Sequence, residues 1–363
     1  MSITFAEKLA RIPGYEPGVP RGQAPEAIAS SDIAQLASNE SPFPPHPAVV
    51  EAIARAASAA NRYPDPDATL LRRRIAERFD AQPGAVAVAN GSCELVLAAA
   101  AALCEPGAEL VYAWPSFSIY PYAAPLSGAR EIQAPLTDEQ HHDLDGMLAE
   151  VTAATQLVIV CNPNNPTGTH IPADEIGAFL ERVPDHVTVI LDEAYIEFQT
   201  HDDPDATLDL RREFPNLAIL RTFSKCYGLA GLRVGYAFCS AAFRAAVDAV
   251  RQPFSVNAVA QAAAAEAIRH QDDVERRVEA TIVERITVEE GIRELGLATP
   301  ESHANFSWID LGDADELAVV AALAESGIVV RPGTALGGPG HIRVTYGTQD
   351  ENRRFLEALA AAI

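Results

Sequence analysis

The chain has 363 residues, 48% of them hydrophobic and 21% charged, with a mean hydropathy of +0.02. That length and balance fit roughly two folded domains with a sizeable core, and they exclude whole-chain disorder, collagen and coiled coil. Fifty acidic against 27 basic residues give a net charge of −23 and a pI near 4.7, so nucleic acid and anionic membrane surfaces are poor partners.

No apolar run approaches the ~18 residues of a membrane span. The first eleven residues carry Glu7, Lys8 and Arg11 with no apolar core, so no secretory signal is expected and the setting is read as cytoplasmic. Five scattered cysteines (Cys93, Cys104, Cys161, Cys226 and Cys239) lack metal-ligand spacing and suit a reducing compartment. The nine histidines form no HxxxH or HExxH pair, so no metal site is expected, and His141-His142 reads as a solvated loop. Only Lys8 and Lys225 are lysines; the other 25 basic residues are arginines.

In chain order, residues 1–40 are rich in Pro, Gly and Ala and read as an N-terminal arm joining a small domain. Helices are predicted over Pro47–Ala60, with Val49, Val50, Ile53, Ala54 and Ala57 on one stripe, and over Ala68–Phe79. Short apolar runs then recur between helical stretches: Val86–Ala89, Glu109–Ala113, Gln156–Cys161, Val187–Leu191, Leu217–Leu220 and Val234–Phe238. Such runs, bounded by turns, indicate an α/β fold: a mostly parallel central sheet with helices on both faces, in a large domain spanning 41–250. The texture changes at Arg251-Gln252-Pro253. A helical tract runs from Val256 to about Leu295, broken around His270–Asp272. A strand (Asn305–Leu311), a helix (Ala314–Ser326), strands Ile328–Arg331 and His341–Thr345, and a helix (Glu351–Ala361) complete a smaller α+β domain, 251–363.

Four segments at predicted strand ends carry the chemistry. Asn90-Gly91-Ser92-Cys93-Glu94 opens a helix, where free backbone N–H groups and the positive dipole end attract an anion. Cys161-Asn162-Pro163-Asn164-Asn165-Pro166-Thr167-Gly168 is a tight loop after the run QLVIV. Leu191-Asp192-Glu193-Ala194-Tyr195 sets two acids at the end of an apolar strand, which is costly without partners. In RTFSKCYGLAGLR, Lys225 lies between an apolar strand and a Gly-rich turn, flanked by Ser224 and Arg233 as phosphate ligands. Lysine is the side chain for Schiff-base chemistry. An amine, a carboxylate, a phenol, an asparagine and a phosphate cup are the set that pyridoxal 5′-phosphate needs.

The segments NPNNPTGT, LDEAYIEF and RTFSKCYGLAGLRVGY resemble fold-type I aminotransferases. LASNESPF, ANRYPDP and VRPGTALGGPGHIRVTYGT resemble the histidinol-phosphate aminotransferase family in particular, over about residues 12–360. Actinobacterial aromatic or phenylalanine aminotransferases look similar throughout, including around residues 114–120. The resemblance implies a pyridoxal-phosphate enzyme in which Lys225 bonds the cofactor and moves a proton, Asp192 pairs with the ring nitrogen, and Tyr195 and Asn165 contact the 3′-oxygen. It further implies that Ser92, Cys93, Ser224 and Arg233 hold the phosphate, that Phe117 stacks on the ring, and that Tyr63 reaches the cofactor of the neighbouring subunit in a homodimer with shared active sites. Tyr15, Asn39, Arg331 and Arg343 are implied to line the substrate end.

Phosphate on the donor and two carboxylates on 2-oxoglutarate must enter a chain of charge −23, so fixed arginines have to attract them locally. On that argument histidinol phosphate is favoured over an aromatic amino donor. A phosphothreonine-type decarboxylase shares the architecture. A non-catalytic cofactor-binding regulator would need a DNA-binding extension and a basic face, and the sequence has neither.

Overall fold

The computed structural model describes residues 3, 5–12, 14 and 33–363. The expectation for Tyr15 lies outside the described residues. The strands are β1 (Ala34–Gln35), β2 (Val86–Ala89), β3 (Glu109–Trp114), β4 (Arg130–Pro135), β5 (Thr155–Cys161), β6 (Thr188–Asp192), β7 (Leu217–Thr222), β8 (Gly235–Phe238), β9 (Phe306–Asp310), β10 (Ile328–Val329), β11 (Arg331–Pro332) and β12 (His341–Thr345). The helices are α1 (Pro47–Ala57), α2 (Thr69–Arg78), α3 (Ser92–Leu103), α4 (Tyr120–Ser127), α5 (Leu144–Ala149), α6 (Ala173–Leu180), α7 (Leu210–Glu213), α8 (Ala241–Val250), α9 (Ala258–Ala267), α10 (Gln271–Glu294), α11 (Glu316–Glu325) and α12 (Gln349–Ala362).

Seven strands form the central sheet in the order β2-β8-β7-β6-β5-β3-β4. All pairs from β7 to β4 are parallel; β8 runs antiparallel to both of its neighbours. Alternate residues of each inner strand enter opposite cores. Val158, Val160, Val189 and Leu191 face one core with α2, α6 and α9, while Leu157, Ile159 and Ile190 face the other with α3 and α4. Apolar side chains on both faces are what a helix-covered parallel sheet requires. Each one fully buried contributes ~1.5–3 kcal/mol.

A third core joins β9, β10, β12, α11, α12 and the C-terminal half of α10. The arm enters it directly, because Ala34 and Gln35 pair with Ile328 and Val329. The predicted single strand Ile328–Arg331 is two strands in the structure: β10 pairs with the arm, and after Val330 β11 pairs antiparallel with β12. The core partition also cuts across a division at residue 251. The apolar face of α9, together with Val256 and Val274, packs in the same core as α2 and the central sheet, and the change to the smaller sheet falls within α10. His141 is exposed, but its neighbour His142 is buried beside a bridge to Leu136, so only the first of the pair is a solvated loop residue. No described helix is long and apolar enough to cross a membrane.

Candidate active site

The parallel strands β5, β6 and β7 end together, with Cys161 opposite Asp192 in the register of β5 and β6. The crevice beyond the carboxyl ends of such strands is where open α/β sheets place ligands. A cavity of about 290 Å3 lies there. It is lined by Ser92, Cys93, Phe117, Asn165, Asp192, Tyr195, Ser224, Lys225 and Arg233, so eight residues picked from four distant segments converge on one site, with Phe117 from a fifth stretch.

Lys225 is half-buried on the turn after β7, and its Nζ donates to the Asn39 carbonyl at 3.0 Å and the Ser38 carbonyl at 3.3 Å. Burial, with the Arg343 and Arg233 guanidiniums nearby, brings its ammonium down to about 7. A neutral amine, the nucleophilic form, is therefore populated near neutral pH.

Asp192 is 1% exposed. Its Oδ2 accepts from the Tyr120 hydroxyl at 2.9 Å, while Oδ1 has no hydrogen-bond partner. Burial raises the carboxyl to about 6. A buried carboxylate oxygen left without a partner is costly. A cationic ring N–H presented from the cavity would satisfy it, so the site fits a pyridinium nitrogen at this point.

The second acid is internal structure. Glu193 accepts from Arg221 Nε at 2.8 Å and from the Thr207 hydroxyl, and Arg221 also donates to Asp205 at 2.7 Å. Arg221 and Glu193 are both buried and paired, which offsets the cost of the second acid at the strand end.

Tyr195 is buried, and burial pushes its phenol well above the ordinary range. Its hydroxyl accepts from Asn39 Nδ2 at 2.9 Å and Asn165 Nδ2 at 3.4 Å. Asn165 Oδ1 in turn accepts from Arg343 at 2.6 Å, and Arg343 also donates to the Ala37 carbonyl at 2.7 Å. Asn39 and Arg343 thus belong to the same polar cluster as Lys225.

The anion end has its own geometry. Ser92 and Cys93 begin α3, and Gly91 before them has φ +79°. A Cβ on Gly91 would lie 2.6 Å from an Arg233 guanidinium nitrogen, so the guanidinium rests against the backbone of the turn. Arg233 also reaches the Ser224 hydroxyl at 3.4 Å, and Ser224 accepts from Thr222 at 3.0 Å. Backbone N–H groups, a hydroxyl and a guanidinium facing one cavity form a cup suited to a phosphate.

Two expected residues, Tyr63 and Arg331, stand apart from this cavity. Tyr63 is 84% exposed and stacks on Phe254 at 4.8 Å, away from the cavity of its own chain. Arg331 is buried and lines a neighbouring cavity of about 380 Å3 with Trp114, Tyr122 and Glu131. Phe117 meets Tyr120 edge-on at 5.7 Å. Tyr120 is the residue that reading the sequence missed in this site. It stands in an aromatic run, and only the packing of α4 reveals that its hydroxyl holds Asp192.

The family model for aminotransferase class I and II matches residues 31–359. The chain belongs to the class I and II aminotransferases. As a member it is an enzyme that depends on pyridoxal phosphate. It is 46% identical over 354 residues to an aromatic amino acid aminotransferase of Thermobifida fusca, covering 96% of this chain and 94% of that protein. It is 42% identical over 355 residues to a histidinol-phosphate aminotransferase of Geobacillus thermodenitrificans, covering 98% and 96%. The crystal structure of histidinol-phosphate aminotransferase from Sinorhizobium meliloti in complex with pyridoxal 5′-phosphate superimposes with a TM-score of 0.84 at 31% identity, covering 91% of this aminotransferase and 90% of that chain.

Proposed function

We propose that this aminotransferase takes its amino group from an aromatic amino acid and passes it to 2-oxoglutarate. The observation that carries the reading is the 46% identity, over nearly the full length of both chains, to a relative named for aromatic amino acids. It replaces the histidinol-phosphate preference, which required Arg331 and Arg343 to serve one phosphorylated substrate. The two arginines are opposed in the register of β11 and β12, but Arg343 donates into the Asn165–Tyr195 cluster, while Arg331 lines the neighbouring cavity. That cavity also carries Glu131, whose charge opposes a phosphate dianion, and the aromatic walls Trp114 and Tyr122 suit a ring.

Pyridoxal phosphate, when bound, supplies an aldehyde for the incoming amino group and a protonated ring that draws electrons from the bond being broken. Lys225 would supply the amine that holds the aldehyde and, as a free amine, the group that moves the proton. Asp192 would keep the ring nitrogen protonated, and Tyr195 and Asn165 would hold the 3′-oxygen. Ser92, Cys93, Ser224 and Arg233 would grip the phosphate, and Phe117 would cover the ring. Arg343 binds the substrate carboxylate, with Asn39 and Arg331 at the substrate end. The same reading takes residues 41–250 as the large domain and 251–363 as the small one, and a homodimer in which Tyr63 serves the neighbouring site. It sets the enzyme in the cytoplasm, which five free cysteines support.

The test compares kcat/KM for phenylalanine, tyrosine and histidinol phosphate with 2-oxoglutarate as acceptor. An aromatic donor should lead by at least about tenfold, a difference of ~1.4 kcal/mol in the barrier. A tenfold lead for histidinol phosphate would overturn the assignment.

A further inference from the structure

Three histidines that are far apart in the sequence meet outside the active-site cavity. His170 ends the segment that carries Asn165, His201 follows the short helix Ile196–Phe198, and His303 precedes β9. Their ring centroids are 4.2 Å apart for His201 and His303, 5.4 Å for His170 and His303, and 5.8 Å for His170 and His201. Glu301 joins them, with Oε1 3.8 Å from His303 Nε2. One donor atom from each of His201, Glu301 and His303 lies within 4.8 Å of the others.

His303 is 2% exposed and His170 4%, and Nδ1 of each has no hydrogen-bond partner among the described residues. Nothing in the cofactor chemistry uses these groups. Burial, reinforced by the neighbouring imidazoles, keeps both rings neutral, bringing His303 down to about 3 and His170 to about 4. Neutral imidazole is the form that donates to a metal.

We propose that His201, Glu301 and His303, with His170 as an adjacent fourth imidazole, form a binding site for a divalent transition ion of the Zn2+ type. Imidazole nitrogens with one carboxylate suit zinc and its neighbours, whereas magnesium and calcium prefer oxygen ligands throughout. Tetrahedral coordination at ~2.0–2.1 Å sets ligand atoms about 3.3 Å apart. His201 and Glu301 are exposed and can close that distance toward the buried, fixed His303. Access is open, because His170 and His201 line a surface cleft of about 700 Å3 that also carries Asp143, Asp145 and Glu175. These acids raise the local cation concentration.

The ion would staple two segments that reach the active site. The His303 N–H already donates to the Gly168 carbonyl at 2.7 Å, and Gly168 is three residues from Asn165. Two residues after His303, Asn305 Nδ2 donates to the Asn39 carbonyl that also accepts from Lys225. Coordination would fix the turn carrying His201 to the approach of β9, where the His303 N–H already holds Gly168, without touching the cofactor cavity.

The experiment uses untagged holoenzyme. Equilibrium dialysis should find one Zn2+ per chain, and zinc at one hundred times its Kd should raise Tm by about 3 °C. Co2+ in the same site should give visible d–d absorption of a four- or five-coordinate centre. His201→Ala and Glu301→Gln, both at exposed positions, should each weaken Zn2+ binding at least tenfold and remove the Co2+ bands, with zinc-free transamination unchanged within twofold. Absence of stoichiometric binding would overturn the proposal. So would binding that persists unchanged in both variants, since that would assign the ion to cysteines or to the catalytic cavity.

Discussion

Asp192 and Lys225 show how one cavity moves two groups in opposite senses toward neutrality. Burial raises the carboxyl to about 6 and lowers the amine to about 7, so near neutral pH the carboxyl is still mostly ionised while the amine is populated in its neutral form. The Tyr120 hydroxyl is the largest influence that favours ionised Asp192 against burial, ahead of the Ala194 backbone N–H and the Lys225 charge. Tyr120 touches no position the cofactor or substrate would occupy on this reading, so it is a positioning residue. Tyr120→Phe removes a hydrogen bond to a charged group, worth ~1.5–3 kcal/mol. We expect kcat to fall by about 10–100-fold with KM changed less than about threefold. Because the hydroxyl favours the ionised carboxylate, its loss raises the Asp192 pKa, and the acid limb of the kcat profile should move to higher pH. A simple packing defect would lower kcat without moving that limb.

The chemistry-bearing loops were legible in the sequence because each pairs an apolar run with turn residues, and β5, β6 and β7 end where those loops begin. The elements that escaped notice lack such a signal. Helix α4 holds Pro125 in its interior, which argues against a helix, and β4 at the sheet edge reads REIQAP with most of its side chains exposed. The anion cup depended on a contact that no spacing reveals, the approach of β8 to the start of α3. A Cβ on Gly235 would lie 2.5 Å from the Ser92 nitrogen and 2.8 Å from the Gly91 carbonyl carbon. Those are backbone atoms, which cannot swing aside. Gly235→Ala should therefore push the start of α3 away from its strand and weaken cofactor retention at least about tenfold, read by dialysis against free pyridoxal phosphate. Gly231→Ala is the control on the same cavity wall: its Cβ meets nothing within 4 Å, and retention should stay within about twofold. Equal losses in both would mean that the cup does not depend on this close approach.

At the scale of the whole molecule, the question is whether one chain completes its own site. On this reading Ser92, Ser224 and Arg233 would supply phosphate donors from this chain, while Tyr63 stands 84% exposed and stacks on Phe254, whose φ is +60°. Two stacked aromatic rings on the surface of a chain with net charge −23 are a poor arrangement for a monomer and a good one for an interface. If Tyr63 reaches the phosphate bound to the neighbouring chain, Tyr63→Phe should cost ~1.5–3 kcal/mol of cofactor binding there. Lys225→Ala should abolish turnover in its own chain's site alone. Mixing the two proteins after dissociation, at limiting cofactor, should then raise activity above that of either protein alone. In a hybrid dimer one site has Lys225 from the first chain and Tyr63 from the second, and the other site lacks both. Random re-pairing makes half the dimers hybrid, so about a quarter of all sites regain both groups. Cofactor retention and kcat/KM measured on the mixture should rise toward about one quarter of the wild-type value. Activity no greater than half that of Tyr63→Phe alone would show that each chain completes its own site, and that the exposed tyrosine has another purpose.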